Sequence, residues 1–117
     1  MQQTPTYKER SRTFLVKARE ELAAGDLEQA SEKAWAAAAL MVKAWADQRG
    51  ILHEKHSHLF NVVHDLARQT DDQQLRRLFH VASNLHGNFY ENTFDPQAVN
   101  EGIDDVETFV ERVEKLL

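Results

Sequence analysis

Apolar residues recur every three or four positions along most of the chain, the spacing that places them on one side of an α-helix. This spacing predicts a first helix over residues 5–24, with Thr4 as its cap and Pro5 as its first helical residue. Gly25 is expected to end that helix and Asp26 to cap the next one. Because the connection is so short, the second helix should fold back antiparallel to the first.

The second helix, predicted over residues 27–48, has an apolar surface too wide for a helix with one face in solvent. Between Ala34 and Ala46 the one polar residue is Lys43, so apolar side chains surround most of the circumference. The helix must therefore be buried on two sides. We expect it to be either the central helix of a bundle or half of a homodimer interface. The candidate contact residues of such a dimer are Trp35, Val42 and Trp45.

Three more helices are predicted after a linker rich in histidine and charge. The third begins near residue 57, and residues 70–72 separate it from the fourth. Asp95 and Pro96 repeat the signal of a cap followed by proline, and a narrow apolar seam marks the last helix beyond them. Gly102 is expected to weaken the first turns of this helix.

Composition supports a helical fold. The chain has 117 residues, of which four are Gly and two are Pro, and this scarcity favours long uninterrupted helices. We therefore predict a single all-α domain over residues 1–117. Its architecture should be an up-and-down antiparallel bundle of four long helices plus a short or broken fifth.

Charge and hydropathy exclude several classes of protein. The net charge is −5, with +2 over residues 1–24 and −5 over residues 95–117, so a broad basic face for duplex DNA is not expected. The longest apolar run has nine residues, whereas a membrane span needs about 20, and the first twelve residues contain no apolar core of a signal peptide. The chain has no cysteine, which fits a reducing compartment. A cytoplasmic protein is the expected class.

Six histidines are the main candidates for chemistry. His53, His56 and His58 lie close together before and within the predicted start of the third helix, where two imidazoles could share one side of a turn. They lack the H-E-x-x-H arrangement of zinc hydrolases, so we predict no metal site and expect these side chains to cap the helix and bond the linker.

A polar and aromatic cluster ends the fourth helix, just after His86. Asn88, Tyr90 and Glu91 stand where a plain bundle would need only surface polar residues. They either bind a ligand or fasten the helix end to its neighbour through buried hydrogen bonds. Phosphate-loop, dinucleotide and serine-hydrolase signatures are absent from the sequence, and no cofactor is predicted.

Three segments carry a resemblance to a known family: G-D-L-E-Q-A-S-E-K-A-W-A-A-A-A at 25–39, R-G-I-L-H-E-K-H at 49–56 and L-H-G-N-F-Y-E at 85–91. They resemble the PaREP family of small helical proteins, which is similar to a branch of the higher-eukaryote-and-prokaryote nucleotide-binding (HEPN) superfamily. The resemblance covers about residues 8–115. It implies a bundle of four or five helices that commonly forms homodimers and handles nucleotides or RNA.

The resemblance also implies catalytic candidates, because many HEPN proteins are metal-independent ribonucleases in which about four to six residues lie between an arginine and the histidine that follows it. Arg49 and His56 match that spacing, and they would respectively stabilise the phosphorane and move the proton. The residue after the arginine is usually polar but here is Gly50. We therefore expect a non-catalytic or weakly catalytic homodimer that binds a nucleotide or RNA segment. The residues expected to line its cleft are Arg49, His53, His56, His86 and Asn88.

Two alternatives stay open. The first two helices have the look of a tetratricopeptide hairpin, so the chain could be a protein-interaction module that uses Trp35, Trp45 and the acidic last helix. The other alternative is a metal-independent ribonuclease of toxin type.

Overall fold

The computed structural model describes residues 4–117 and consists of five α-helices joined by short connections. All five helices are continuous, and Gly102 does not interrupt the last of them. The all-α class is therefore confirmed. The helices are α1 (Tyr7–Ala23), α2 (Leu27–Gln48), α3 (His56–Thr70), α4 (Gln74–Glu91) and α5 (Pro96–Glu114).

The first helix begins later than predicted. Thr6, not Thr4, is its cap: the Thr6 hydroxyl accepts a hydrogen bond from the Glu9 amide at 3.1 Å. The Glu9 carboxylate in turn accepts one from the Thr6 amide at 3.4 Å. This reciprocal capping box satisfies two backbone donors, whereas a cap at Thr4 followed by Pro5 would satisfy fewer, and the prediction of a start at residue 5 was wrong.

The starts of α2 and α5 agree with their sequence signals. The carboxylate of Asp26 accepts a hydrogen bond from the amide of Gln29 at 3.0 Å. Asp95 accepts one from Ala98 at 2.8 Å, and Pro96 occupies the first turn of α5. Each aspartate thus satisfies an amide that the helix itself leaves without a partner.

Helix α2 is the centre of the bundle, because it contacts all four other helices. Thirteen of its 22 residues are buried, and seven of those are alanines, whose small side chains let neighbouring helices approach closely. Trp35, Val42 and Trp45 retain 5%, 0% and 3% exposure within a single chain. The predicted dimer contact through these three side chains, and the partner surface assigned to the tryptophans in the tetratricopeptide alternative, find little free surface in a single chain. The other helices already bury them.

Cross-helix ion pairs tie α1 to α5 and show that the two helices run antiparallel. Near the start of α1, Arg12 pairs with Glu114 at the end of α5. Near the end of α1, Arg19 lies 2.8 Å from Asp104 and 3.0 Å from Glu107, both further back along α5. The basic first helix and the acidic last helix thus pair within one chain.

The linker after α2 brings the start of α3 back alongside the middle of α2. The rings of His56 and Trp35 lie 5.2 Å apart as a result. Helices α1 and α3 both pack on α2, but within the described residues they do not contact each other. A groove over α2 separates them. No helix across residues 4–117 is long and apolar enough to cross a membrane.

Candidate functional site

The groove between α1 and the start of α3 has a volume of about 270 Å³. Its floor is α2, where Ala36, Ala39 and Leu40 present small apolar surfaces. Phe14 of α1 forms part of one wall and Leu59 of α3 part of the other. Because alanine side chains are small, Ala36 and Ala39 leave space above α2, and this space is the groove.

Charged side chains surround this apolar floor. Arg10 from α1 and Lys43 from α2 bring two cations to the groove, and Glu32 and Glu54 bring two carboxylates. Neither cation forms an ion pair with any residue that the structure describes. Both are therefore available to an anionic group in the groove. A larger cavity of about 370 Å³ at the α1–α2 turn has two acidic residues and no basic one in its lining, so it does not suit an anion.

His56 and His86 meet at one edge of the groove, although they lie on different helices. The ring of His56 is 5.2 Å from that of His86, and each ring is 5.2 Å from the indole of Trp35. Nδ1 of His86 lies 3.0 and 3.2 Å from the two carboxylate oxygens of Glu32. Tyr90 is 71% exposed, and its ring is 5.4 Å from that of His86. We call these five residues the imidazole cluster.

Asn88, one of the predicted binding residues, is buried at the end of α4 and forms its side-chain hydrogen bonds within the chain. Its side-chain amide donates a hydrogen bond to the hydroxyl of Ser31 at 2.9 Å. Its oxygen accepts bonds from the amides of Thr93 and Phe94 at 2.8 and 2.9 Å. The side chain is 2% exposed and fastens the end of α4 to α2. By contrast, Glu91 is exposed, and its ligand-binding role stays a prediction.

Arg49 does not line the groove in a single chain. Its guanidinium stacks on Trp45 at 4.1 Å and donates a hydrogen bond to the carbonyl of Leu116 at 3.3 Å. Trp45 is ten residues further along α2 than Trp35, or about 15 Å at the rise of an α-helix. Since His56 lies against Trp35, the structure separates Arg49 from His56, the two predicted catalytic residues.

His53 and His58 stabilise the linker and the start of α3. Nδ1 of His53 lies 2.7 Å from the carbonyl oxygen of Ile51, and Nδ1 of His58 accepts a bond from the amide of Lys55 at 3.2 Å. His53 is therefore not part of the groove. Of the five residues predicted to line a cleft, His56 and His86 come together and the other three lie elsewhere.

Sequence reasoning missed Arg10, Lys43 and Glu32, because they come from two helices and share no local motif. One signal was available for Lys43. It is the single polar residue in the apolar stretch of α2, and a polar residue at such a position marks the one side of a buried helix that reaches solvent.

Comparison with known proteins identifies relatives of this chain by sequence and by fold. The chain matches the model of the archaeal PaREP1/PaREP8 family over residues 6–110. It is also similar to the crystal structure of a protein from Sulfolobus solfataricus, with 25% sequence identity and a TM-score of 0.79. That alignment covers 97% of this chain and 98% of the other. Among curated proteins there is no significant match.

Proposed function

This chain belongs to the archaeal PaREP1/PaREP8 family, and from that premise we propose that it is a cytoplasmic protein that binds a nucleotide or a short RNA segment in the groove over α2. The observation that carries the proposal is the pair of cations, Arg10 and Lys43, beside the exposed ring of His56 in one groove. The resemblance to the HEPN superfamily supports the same class of ligand.

The cations suit the phosphate of a nucleotide. Arg10 has a planar guanidinium that can donate two parallel hydrogen bonds to phosphate oxygens, and Lys43 adds a point charge. Lys43 is partly buried against α2, so its charge is less screened than that of an exposed lysine. Because neither side chain has an ionic partner among residues 4–117, binding would not have to break an existing ion pair.

The remaining groove residues suit a base and a ribose. His56 is exposed and Phe14 is partly buried, so both offer ring surface on which a base can stack. The carboxylates of Glu32 and Glu54 can accept hydrogen bonds from a ribose hydroxyl or a base amino group. A volume of about 270 Å³ lies just below the roughly 300–1,000 Å³ of small-molecule sites, so the groove can hold no more than about one nucleotide.

The binding experiment compares AMP, ATP and short oligoribonucleotides with sulfate at matched ionic strength, by thermal shift and by fluorescence anisotropy. Ligand binding should raise the melting temperature more than sulfate does, since specific binding stabilises the fold by mass action. Replacing both Arg10 and Lys43 by alanine should weaken binding by about tenfold or more, the loss expected from charge-assisted hydrogen bonds.

Lys115→Ala is the matched control, because Lys115 is an exposed cation at the end of α5, outside the groove. It should leave the affinity for nucleotides within about twofold of the wild type, as surface substitutions generally change free energies by under about 0.5 kcal/mol. An equal loss of nucleotide affinity in this control and in the double variant would show that affinity depends only on net charge. That result would contradict the proposal.

Self-association is a further part of the proposal, supported by the same family resemblance. Since α2 is covered within one chain, the contact must use another surface. The linker between α2 and α3 carries Ile51 and Leu52, which are 39% and 72% exposed and account for two of the four large apolar side chains left exposed in the described residues. A homodimer through this linker is the arrangement we propose. Because Arg49 lies two residues before Ile51, such a homodimer would bring the second copy close to Arg49.

A further inference from the structure

Helices α3 and α4 carry a group of basic side chains outside the groove. On α3, Phe60, His64 and Arg68 follow one another at intervals of four residues, and on α4 Arg76 and His80 have the same spacing. Residues four positions apart lie on the same side of a helix. We call these five residues the basic cluster.

The two rows of the basic cluster face each other. Helices α3 and α4 are joined by three residues and therefore run antiparallel. The ring of His80 lies 5.4 Å from that of Phe60 and 6.4 Å from that of His64. Arg68 near the end of α3 and Arg76 near the start of α4 thus lie at the same end of the cluster, beside the two histidines.

His64 has a polar atom that the fold leaves without a partner. Its Nε2 is the one buried side-chain nitrogen or oxygen of the described chain that has no hydrogen bond. Burial lowers the pKa of this side chain, and so do the positive charges of Arg76, His80 and Arg68, whereas Asp65 has a smaller opposite effect. The imidazole is therefore neutral at pH 7, and its unpaired nitrogen makes the free protein less stable.

Carboxylates do not neutralise the cations of the basic cluster. Arg76 has no ion pair within the described chain, and α4 carries no acidic residue before Glu91. Arg68 pairs with Asp65 on its own helix, and Asp65 is the one carboxylate among the charges that act on His64. Positive charge thus remains in excess here, in a protein whose net charge is −5.

We propose that the basic cluster binds a phosphate group. Arg76 can donate two parallel hydrogen bonds to phosphate oxygens, and Arg68 adds a second positive charge. The terminal torsion of a histidine ring is soft, so His64 can turn and donate from Nε2 to a phosphate oxygen. The bound group satisfies the unpaired nitrogen and connects α3 to α4.

This site is separate from the groove over α2. His64 lies eight residues after His56 on α3, or about 12 Å at the rise of an α-helix. The residues that line the groove include no member of the basic cluster. The inference therefore does not depend on nucleotide binding in the groove.

The experiment titrates the protein with inorganic phosphate and with phenyl phosphate at constant pH, with chloride at matched ionic strength as the reference. Both phosphates should shift the NMR signals of the His64 and His80 rings and raise the melting temperature more than chloride does. Tighter binding of phenyl phosphate would indicate an ester whose planar group stacks on Phe60 and His80, whereas equal affinities would indicate the phosphate group alone. Absence of a phosphate-specific shift at both histidines would overturn the proposal.

Arg76→Ala should weaken phosphate binding by about tenfold or more, the loss expected from a charge-assisted hydrogen bond. Arg77→Ala is the matched control, because Arg77 is also exposed and without an ion pair in the described chain. It lies about 100° further round the helix axis, so its replacement should leave the affinity within about twofold of the wild type. Equal losses in the two variants would show attraction by net charge and overturn the site.

His64→Phe keeps a ring against Phe60 and removes both nitrogens. Because it also removes an unpaired buried polar atom, the variant should fold and be at least as stable as the wild type. It should bind phosphate about tenfold more weakly, and unchanged binding would overturn the role of His64.

The double variant of the groove, with Arg10 and Lys43 replaced by alanine, should retain the phosphate-induced shift at His64. Loss of that shift in the double variant would place the phosphate in the groove and overturn a separate site. Nucleotide binding in the groove is measured independently, so the failure of either proposal leaves the other one standing.

Discussion

Asn88 holds the end of α4 in place through three hydrogen bonds, and its replacement should be costly. Asn88→Ala would leave the amides of Thr93 and Phe94 and the hydroxyl of Ser31 without this partner in a site that is 2% exposed. Each buried polar group left unsatisfied costs about 1–3 kcal/mol. We expect the free energy of unfolding to fall by about 2–4 kcal/mol, measured by urea denaturation.

Asn84→Ala is the control for this prediction. Asn84 is exposed on the same helix, and its side chain has no hydrogen bond among the described residues, so the change should be within about 0.5 kcal/mol. Equal effects of the two substitutions would show that the loss comes from helix propensity rather than from the buried hydrogen bonds.

Single residues were the hardest part of this protein to predict. The sequence around Asn88 is compatible with a ligand-binding role and with a role in fastening the helix end. It therefore favoured both interpretations equally. The hydrogen bond between His86 and Glu32 joins residues 54 positions apart, and no spacing rule in the sequence indicates it. Such contacts depend on how two helices pack and not on either helix alone.

Within the helices, two glycines should respond to alanine in opposite ways. A Cβ atom at Gly102 of α5 would lie 2.9 Å from one Leu85 methyl and 3.2 Å from its Cγ, so the buried Leu85 side chain would have to shift as a whole. Overpacking of this kind costs about 1–3 kcal/mol, more than the roughly 1 kcal/mol that alanine gains in a helix. Gly102→Ala should therefore destabilise the protein in thermal and urea unfolding.

Gly87→Ala is the matched substitution in α4. A Cβ atom there meets nothing within 4 Å, so the helix propensity of alanine should raise the free energy of unfolding by up to about 1 kcal/mol. A gain in stability for Gly102→Ala would mean that α5 and α4 are further apart than this packing implies.

The helices themselves were largely predictable, because their signals are local. The limits of α2 follow from Gly25 and Asp26 before it and Gly50 after it, and the start of α5 follows from Asp95 and Pro96. The start of α1 was wrong because two threonines compete as caps, and only Thr6 has a glutamate three residues later. The sequence predicts that Gly102 weakens the first turns of α5, whereas its missing side chain leaves room for Leu85 from α4.

At the scale of the whole molecule, the oligomeric state tests the proposed linker contact. Sedimentation velocity should give a dimer for the wild type at micromolar concentration. Leu52→Asp should shift the population to monomer, because Leu52 is 72% exposed in one chain and a carboxylate is costly to bury in an apolar interface. Val16→Asp, at another exposed apolar position, on α1, should not change it. A wild-type protein that stays monomeric at all concentrations would contradict the proposed self-association.

The assembly of the bundle was predictable only in part. The apolar circumference of α2 required partners on several sides, but the pattern cannot say whether these come from the same chain or from a second copy. The path of the linker decides the matter. It returns the start of α3 to the level of Trp35, so that the chain itself surrounds α2 and buries both tryptophans.

The absence of contact between α1 and α3 in the described chain has a mechanical consequence. Each of these helices is held by α2 and by one other helix, so their separation is set indirectly, through the residues beneath them. A bound molecule that contacts Arg10 of α1 and His56 of α3 would connect these two helices directly. Binding in the groove would then restrict the relative motion of α1 and α3, which have no contact with each other in the described chain.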